Sequence, residues 1–315
     1  MKTTVRYFLM AAAIFLTTAV VITVFYFRSA YRALVLDNEE KFPPCIVKII
    51  DRLKRPDPTP EIIPAAEETI TILEGWTVQD IGQYLERRDR WTSRDFLNVA
   101  GWPRTDYRHQ DALPALEDFS SQYDFLADKP EQYGLEGYLF PDTYRVYASS
   151  TVSEVIAKML DNFNEKLTPK MRADIKKQGK TVYEIVTMAS IIEKEAPIDY
   201  SKDENRAARI ISGIFWNRLK IGQGLQSDAT LSYVLNDNKP QHSGAELEID
   251  SSYNTYKFRG LPPGPISNPG LLAIEAAIYP IKTDYYYFLT TLDGQEVFYA
   301  RTYDEHLQNK YKYLR

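Results

Sequence analysis

The chain has few of the residues that build metal and disulfide sites. Its 315 residues include one cysteine, Cys45, and three histidines that lie far apart (His109, His242 and His306). One cysteine excludes an internal disulfide, and no H-E-x-x-H pair occurs, so we predict neither a metal site nor a cofactor. The formal net charge is -5. A chain without a basic field is not expected to bind nucleic acid.

The N-terminal segment has no charged side chain over a length that can cross a membrane. Residues 7–27 (YFLMAAAIFLTTAVVITVFYF) carry aromatic residues at both ends. About 20 apolar residues span a bilayer as a helix, and aromatic rings favour both interfaces. A secretory signal peptide has a shorter apolar region and a small-residue cleavage site. We therefore predict an uncleaved, single-pass anchor in the cell (inner) membrane, with residues 1–6 in the cytoplasm and the remainder outside it.

Beyond this anchor, the sequence predicts an α+β, membrane-anchored protein with two folded parts. Residues 28–66 contain R-P-D-P-T-P-E-I-I-P, whose prolines favour an extended connector. Residues 67–134 begin with the strand-like run T-I-T-I-L and a turn. Two helices follow, each opened by a Thr with an Asp three residues later (Thr77 with Asp80, Thr92 with Asp95). This order is similar to a small LysM-like subdomain followed by a connection, and a generic α/β subdomain fits it equally.

Residues 135–315 are predicted to form a mixed helical and β-hairpin catalytic domain. Helix starts are indicated by capping residues followed by apolar positions at helical spacing. The predicted starts are Thr151, Thr168, Thr181, Asn205, Asn268 and Thr302, with Asn268 as a cap before Pro269 and Glu305 completing a capping box. Two β-rich runs, 285–291 and 296–301, flank a D-G turn and predict a hairpin.

The helix that contains M-A-S-I-I-E-K-E-A-P places one carboxylate on its apolar face. At about 100° per residue, Glu193 falls about 20° from Val182, in the middle of the apolar stripe. Glu195 lies roughly 160° from Glu193, and we predict a solvated surface charge there. Burial and the C-terminal end of the helix dipole both raise the pKa of Glu193, which suits a general acid. The alternative is an ion pair with Arg206 or Arg209.

Three long motifs follow one another in the second half of the chain. They read A-S-I-I-E-K-E-A, then R-I-I-S-G-I-F-W-N-R-L-K-I-G-Q-G-L-Q-S-D-A-T, then Y-N-T-Y-K-F-R-G-L-P-P-G-P-I-S-N-P-G. Their order and spacing resemble the YceG-like (MltG) endolytic murein transglycosylases, over roughly residues 67–315. The resemblance implies cleavage of the MurNAc-β-1,4-GlcNAc bond of peptidoglycan with formation of 1,6-anhydro-MurNAc ends. It also implies that Glu193 acts as acid and then base, and that nascent glycan strands are terminated beside penicillin-binding protein synthases.

The resemblance also implies residues that bind the glycan strand. The expected set is Gln226, Ser227, Asp228, Tyr253, Asn254, Thr255, Glu136 and Tyr138. Asp228 can equally cap a helix that starts at Ala229, and structural roles are equally open for Glu136 and Tyr138. The run G-L-P-P-G-P-I-S-N-P-G is expected to form a rigid wall of the site. Val297 stands where many relatives carry a His, so a contact made by that His is absent from this chain.

Three other functions fit parts of the sequence. A hydrolytic muramidase needs two carboxylates, and Asp228 would be the second. A non-catalytic scaffold that binds peptidoglycan does not need Glu193 at all. An aminodeoxychorismate lyase, a label sometimes attached to this family, needs a Schiff-base Lys in a cytosolic PLP site, which an exported domain does not favour.

Overall fold

The structure, a computed structural model, describes residues 22, 26 and 67–315, apart from 202–204, 238, 240, 292–293, 295 and 315. Except for Ile22 and Tyr26, the predicted anchor and the predicted connector therefore lie outside the described residues. Among the residues that are described, no helix is both long and apolar enough to cross a membrane. Ala65–Arg315 form one compact unit.

The N-terminal part of this unit contains two antiparallel strands and two helices that lie between these strands in the sequence. The elements are β1 (Glu67–Thr71), α1 (Val78–Glu86), α2 (Ser93–Ala100) and β2 (Thr143–Tyr147). β1 pairs with β2, and Ile70 lies opposite Tyr144. Both helices start with complete capping boxes, as predicted. The predicted order of strand, turn, helix and helix is confirmed, and the partner strand comes from beyond residue 134.

A buried helix forms the centre of the remaining fold. The helices here are α3 (Val152–Lys166), α4 (Pro169–Lys177), α5 (Val182–Glu195), α6 (Arg206–Lys220), α7 (Asp228–Leu235) and α8 (Leu271–Ile278). α5 packs against α4, α6, α7 and α8. Every residue from Ile185 to Ile192 is buried, so α5 is covered on all sides rather than along one stripe.

A β-hairpin and a terminal helix close the fold. β3 (Tyr287–Thr290) and β4 (Val297–Ala300) pair antiparallel, which confirms the predicted hairpin. Val297 is the first residue of β4 and lies opposite Thr290. Thr302 caps α9 (Tyr303–Tyr313) as predicted. The predicted capping box differs in one bond, because the Glu305 carboxylate accepts from the amide of Arg301.

The predicted cap at Asn268 is wrong, and the alternative cap role of Asp228 is not observed. α8 begins at Leu271, and its N-cap is Gly270 rather than Asn268. Asp228 is the first residue of α7, and the N-cap position belongs to Ser227. In both cases the side chain that favours a cap forms bonds to distant segments instead, and these bonds shape the site described next.

Candidate functional site

Glu193 lies in the last turn of α5 and is half-buried. Its Oε2 atom accepts hydrogen bonds from the amide of Gly270, at 3.0 Å, and from the hydroxyl of Tyr200. As predicted, the side chain faces the protein. The alternative ion pair does not form with Arg209, whose guanidinium donates to the carbonyl of Tyr279.

The surroundings of Glu193 favour its neutral form. Burial raises the pKa of Glu193, and the bonds from Tyr200 and Gly270 oppose this rise without cancelling it. Among charged groups, Glu74 raises the pKa and Lys194 lowers it. The carboxyl also stands at the N-terminal end of α8, where the helix dipole favours negative charge. A carboxyl with a raised pKa that still has two donors for its anion can both release and take up a proton.

A turn from the N-terminal sheet covers Glu193. Gly75 lies between β1 and α1 with φ +74°, and a Cβ added there would stand 3.5 Å from Cγ of Glu193. The amide of Gly75 donates to the carbonyl of Asn268 at 2.9 Å. The sequence motifs did not reveal this contact. The E-G-W turn is held by a distant segment, since Trp76 and Asn268 are 192 positions apart. Such a contact produces no local sequence pattern.

Asn268 is fully buried and joins three segments. Its Oδ1 accepts from the amides of Gly137 and Leu139, each at 2.9 Å. Its Nδ2 donates to the carbonyl of Trp76 at 2.9 Å and to Oε1 of Glu136 at 3.2 Å. These bonds explain why Asn268 is not the cap of α8. They also make the predicted wall segment a structural hub beside Glu193.

Glu136 lies under α1 at the edge of a tyrosine-lined cavity. Its carboxylate accepts from the amide of Val78 at 3.0 Å and from the hydroxyl of Tyr233 at 3.2 Å. Burial raises its pKa to about 8. The cavity beside it is lined by four tyrosines, Tyr133, Tyr183, Tyr233 and Tyr253. Tyr233 and Tyr253 face one another with ring centroids 5.2 Å apart.

A polar cleft of about 230 Å³ adjoins this cavity. Tyr233 and Arg104 line both spaces, and Lys194 brings the end of α5 to the cleft. The opposite side comes from α1, through Thr77 and Asp80. The cleft therefore runs between the N-terminal helices and the end of the helix that carries Glu193.

The prediction for Glu195 is wrong. Its Oε1 accepts from the hydroxyl of Ser227 at 2.5 Å and lies 3.5 Å from the amide of Ala229. Burial raises the pKa of Glu195. The wheel gave the correct direction of the side chain, but α7 packs against that side of α5, so Glu195 meets the start of α7 instead of water.

The Q-S-D motif turns into α7 and is tied to the Y-N-T-Y motif. Gln226 is exposed with φ +49°. The amide of Ser227 donates to Oγ1 of Thr255 at 3.0 Å. Asp228 is half-buried, and one of its carboxylate oxygens accepts from the hydroxyl of Tyr256 at 3.1 Å. Of these residues, Gln226 and Asp228 keep side chains open to a ligand.

Five of the predicted binding residues are buried in the protein: Tyr138, Ser227, Tyr253, Asn254 and Thr255. Asn254 donates to the carbonyls of Leu247 and Ile249, at 2.9 Å each. Thr255 is 2% exposed. Tyr138 is fully buried and stacks in an aromatic cluster with Phe125. The expected position along the polar cleft is therefore not observed for these five, and Asn254 and Thr255 act by holding their loop.

Three potential metal ligands come together on the segment that follows α7. One ligand atom each from Asp237, His242 and Glu246 lies within 4.8 Å of the others. The ammonium of Lys239 stands between the acids, 2.6 Å from Glu246 and 3.4 Å from Asp237. Both carboxylates of the group thus already share an ion pair with one lysine of this chain.

Comparison with known proteins places this arrangement in a family. The model of the YceG-like family matches residues 46–312. The chain belongs to the YceG-like family. The match includes the N-terminal sheet, Glu193 and the hairpin, so the whole described unit lies within the family's extent, apart from its last residues.

Curated relatives and a solved structure resemble this YceG-like chain. An endolytic murein transglycosylase of Bacillus subtilis is 41% identical over 187 residues, covering 59% of this chain and 50% of the relative. One from Streptococcus pneumoniae serotype 2 is 33% identical over 262 residues, covering 76% and 44%. The chain thus spans about half the length of these relatives. A crystal structure of a yceG-like protein from Listeria monocytogenes superposes with a TM-score of 0.62 at 32% identity, over 84% of this chain and 80% of that one.

Proposed function

We propose that this chain is an endolytic lytic transglycosylase of peptidoglycan. Its substrate is the MurNAc-β-1,4-GlcNAc bond, and its product carries a 1,6-anhydro-MurNAc end. The observation that carries the proposal is the environment of Glu193, a half-buried carboxyl of raised pKa with one oxygen held by two donors. The names of the curated relatives support the same activity.

The reaction needs only one carboxyl because the nucleophile belongs to the substrate. Protonated Glu193 donates its proton to the glycosidic oxygen while the bond from that oxygen to C1 of the muramoyl residue breaks. The resulting carboxylate then takes the proton of the C6 hydroxyl, and the C6 oxygen forms a bond to C1. No water is consumed, and Glu193 ends the cycle protonated. The raised pKa serves the first step, and the donors to Oε2 stabilise the anion between the steps.

The glycan strand is assigned to the polar cleft, because the tyrosine-lined cavity, at about 20 Å³, has room for no more than a water molecule. Gln226 and Asp228 contact the strand in this proposal, whereas Tyr253 is buried and packs against Tyr233. Ser227 and Glu136 act by holding the walls, through Glu195 in the first case and Tyr233 in the second.

Two further assignments extend the proposal to the whole chain. The β1–α1–α2–β2 unit is a LysM-like module that helps to bind N-acetyl sugars, an idea supported by the order of its elements. Residues 7–27 anchor the chain in the cell membrane, with the catalytic part outside the cytoplasm, as their uncharged sequence suggests. Such a location would bring Glu193 to nascent strands beside penicillin-binding protein synthases.

The test is digestion of uncrosslinked glycan strands by the full chain and by Glu193→Gln. We expect anhydro-ended products from the wild type and none from the variant, as measured by mass spectrometry. Glu184→Gln is the matched control, because Glu184 lies in the first turn of the same helix and caps it from an exposed position. Its products should equal those of the wild type.

Other outcomes would select the competing functions. Products heavier by one water would indicate a hydrolytic muramidase. The structure offers little support for Asp228 as its second carboxylate, because the charge of Asp228 acts on Glu195, whereas the acid that acts on Glu193 is Glu74. Equal products from wild type and Glu193→Gln would refute the role of Glu193. A chain that binds strands without cleaving them would be a scaffold.

A further inference from the structure

Tyr200 lies on the segment after α5 and reaches back to Glu193. Its hydroxyl donates to Oε2 of Glu193, the same oxygen that receives the amide of Gly270. Oε1 of Glu193 accepts no hydrogen bond from a described residue, so one oxygen is fixed by two donors and the other by none of these residues. None of the sequence motifs includes Tyr200.

The shape of the fold at Gly270 accommodates this tyrosine. A Cβ added at Gly270 would meet Cε1 and Cζ of Tyr200 at 2.7 Å, and it would lie even closer to the hydroxyl. The backbone of Gly270 has φ -77°, which any residue can adopt. The glycine is thus required by the close approach of the ring rather than by its own backbone.

We propose that Tyr200 is a positioning residue for the transglycosylase reaction, which fixes Oε2 of Glu193 so that Oε1 meets the glycosidic oxygen. This inference rests on the proposed function. A hydroxyl that donates to a carboxylate stabilises the charged form, so Tyr200 lowers the cost of the anion that forms when Glu193 gives up its proton. Burial and the charge of Glu193 raise the pKa of Tyr200, so the hydroxyl keeps its proton and remains a donor.

The other groups around Glu193 do not replace this bond. The charged groups that face it are Glu74, from the turn between β1 and α1, and Lys194, from its own helix. α8 contributes the amide of Gly270. Loss of the Tyr200 hydroxyl leaves that amide as the remaining direct donor to Oε2 among the described residues.

The test compares the pH dependence of kcat/KM for the full chain and for Tyr200→Phe. The variant retains the ring and removes the donor. Because a hydrogen bond to a charged group contributes on the order of a tenfold factor or more, we expect kcat to fall about tenfold. The fall of kcat/KM at high pH (the high-pH limb of the profile) reports the loss of the proton from Glu193 in the free enzyme. Because the variant lacks a donor to the carboxylate, this fall should move to a higher pH by about one unit.

Tyr279→Phe is the matched control. The Tyr279 hydroxyl also donates to a carboxylate, that of Asp174 at 2.8 Å, on a different face formed with α4. Its pH profile should coincide with that of the wild type. Gly270→Ala provides a second route, since the added methyl would displace the Tyr200 hydroxyl, and it should shift the limb in the same direction.

The outcomes separate this inference from the proposed function. An unshifted limb in Tyr200→Phe, with Glu193→Gln inactive, would overturn the role of Tyr200 and leave the proposed function intact. Activity in Glu193→Gln would instead remove the proposed function. Tyr200 is 40% exposed, so we expect Tyr200→Phe to unfold at the same temperature as the wild type, and a normal unfolding temperature rules out misfolding as the cause of a shift.

Discussion

Replacing Glu136 by Gln tests the charge state that burial imposes on this carboxyl. Oε1 of Glu136 accepts from the amide of Val78 and from Nδ2 of Asn268, and Oε2 accepts from the hydroxyl of Tyr233. A glutamine side chain has the same shape. Its carbonyl oxygen can keep the first two bonds, and its NH₂ group can donate to the Tyr233 oxygen. The substitution therefore removes a titrating group and little else.

The size of the effect follows from the two pKa values of Glu136. Burial raises the pKa in the folded state to about 8, whereas a Glu in an unfolded chain has a pKa of about 4.3. Between these values the folded state holds a proton that the unfolded state has lost, so the free energy of unfolding falls as pH rises. At about 1.36 kcal/mol per pKa unit, the loss is on the order of 5 kcal/mol above about pH 8. Glu136→Gln does not show this loss of stability, because the glutamine side chain does not titrate.

The measurement is urea unfolding of the full chain, followed by tryptophan fluorescence. We expect wild type and Glu136→Gln to be equally stable near about pH 5, and the variant to be more stable by roughly 4 kcal/mol near about pH 9. Glu131→Gln is the control, because Glu131 is exposed and lies on the same segment. Parallel stability curves for wild type and Glu136→Gln would refute the buried, neutral carboxyl.

Two further substitutions test the contacts around the site by the same unfolding measurement. Glu195→Ala should lower the free energy of unfolding by about 1–3 kcal/mol, because it leaves the Ser227 hydroxyl buried without its acceptor. A change near zero would indicate that Glu195 is a solvated surface charge after all. Asn268→Ala should cost roughly 2–5 kcal/mol, because two buried amides lose their acceptor; an unchanged midpoint would contradict the hub.

Local signals in the sequence predicted local structure well. The threonine caps of α1, α2, α3 and α5 lie where expected because a capping box is complete within four residues. The hairpin was found for the same reason, since its strands are separated by a short turn. Such elements need no knowledge of the rest of the chain.

Contacts between distant segments were beyond the sequence pattern. A helical wheel gives the direction of Glu195 but not the helix that packs against that direction. Asn268 resembles a cap in its local context, yet its side chain forms four hydrogen bonds to distant segments instead of capping α8. Tyr200 lies outside the motifs, and only the fold brings its hydroxyl to Glu193.

The wall formed by Gly75 and Asn268 has a consequence for protein engineering. The N-terminal unit looks like a separate module that could be exchanged for that of a relative. Yet its first turn covers the Glu193 side chain, and its carbonyl at Trp76 is bonded to the hub. A chimera made by swapping that unit would therefore also exchange part of the surroundings of Glu193. A chimera should therefore take the E-G-W turn and the N-P-G segment from the same parent protein.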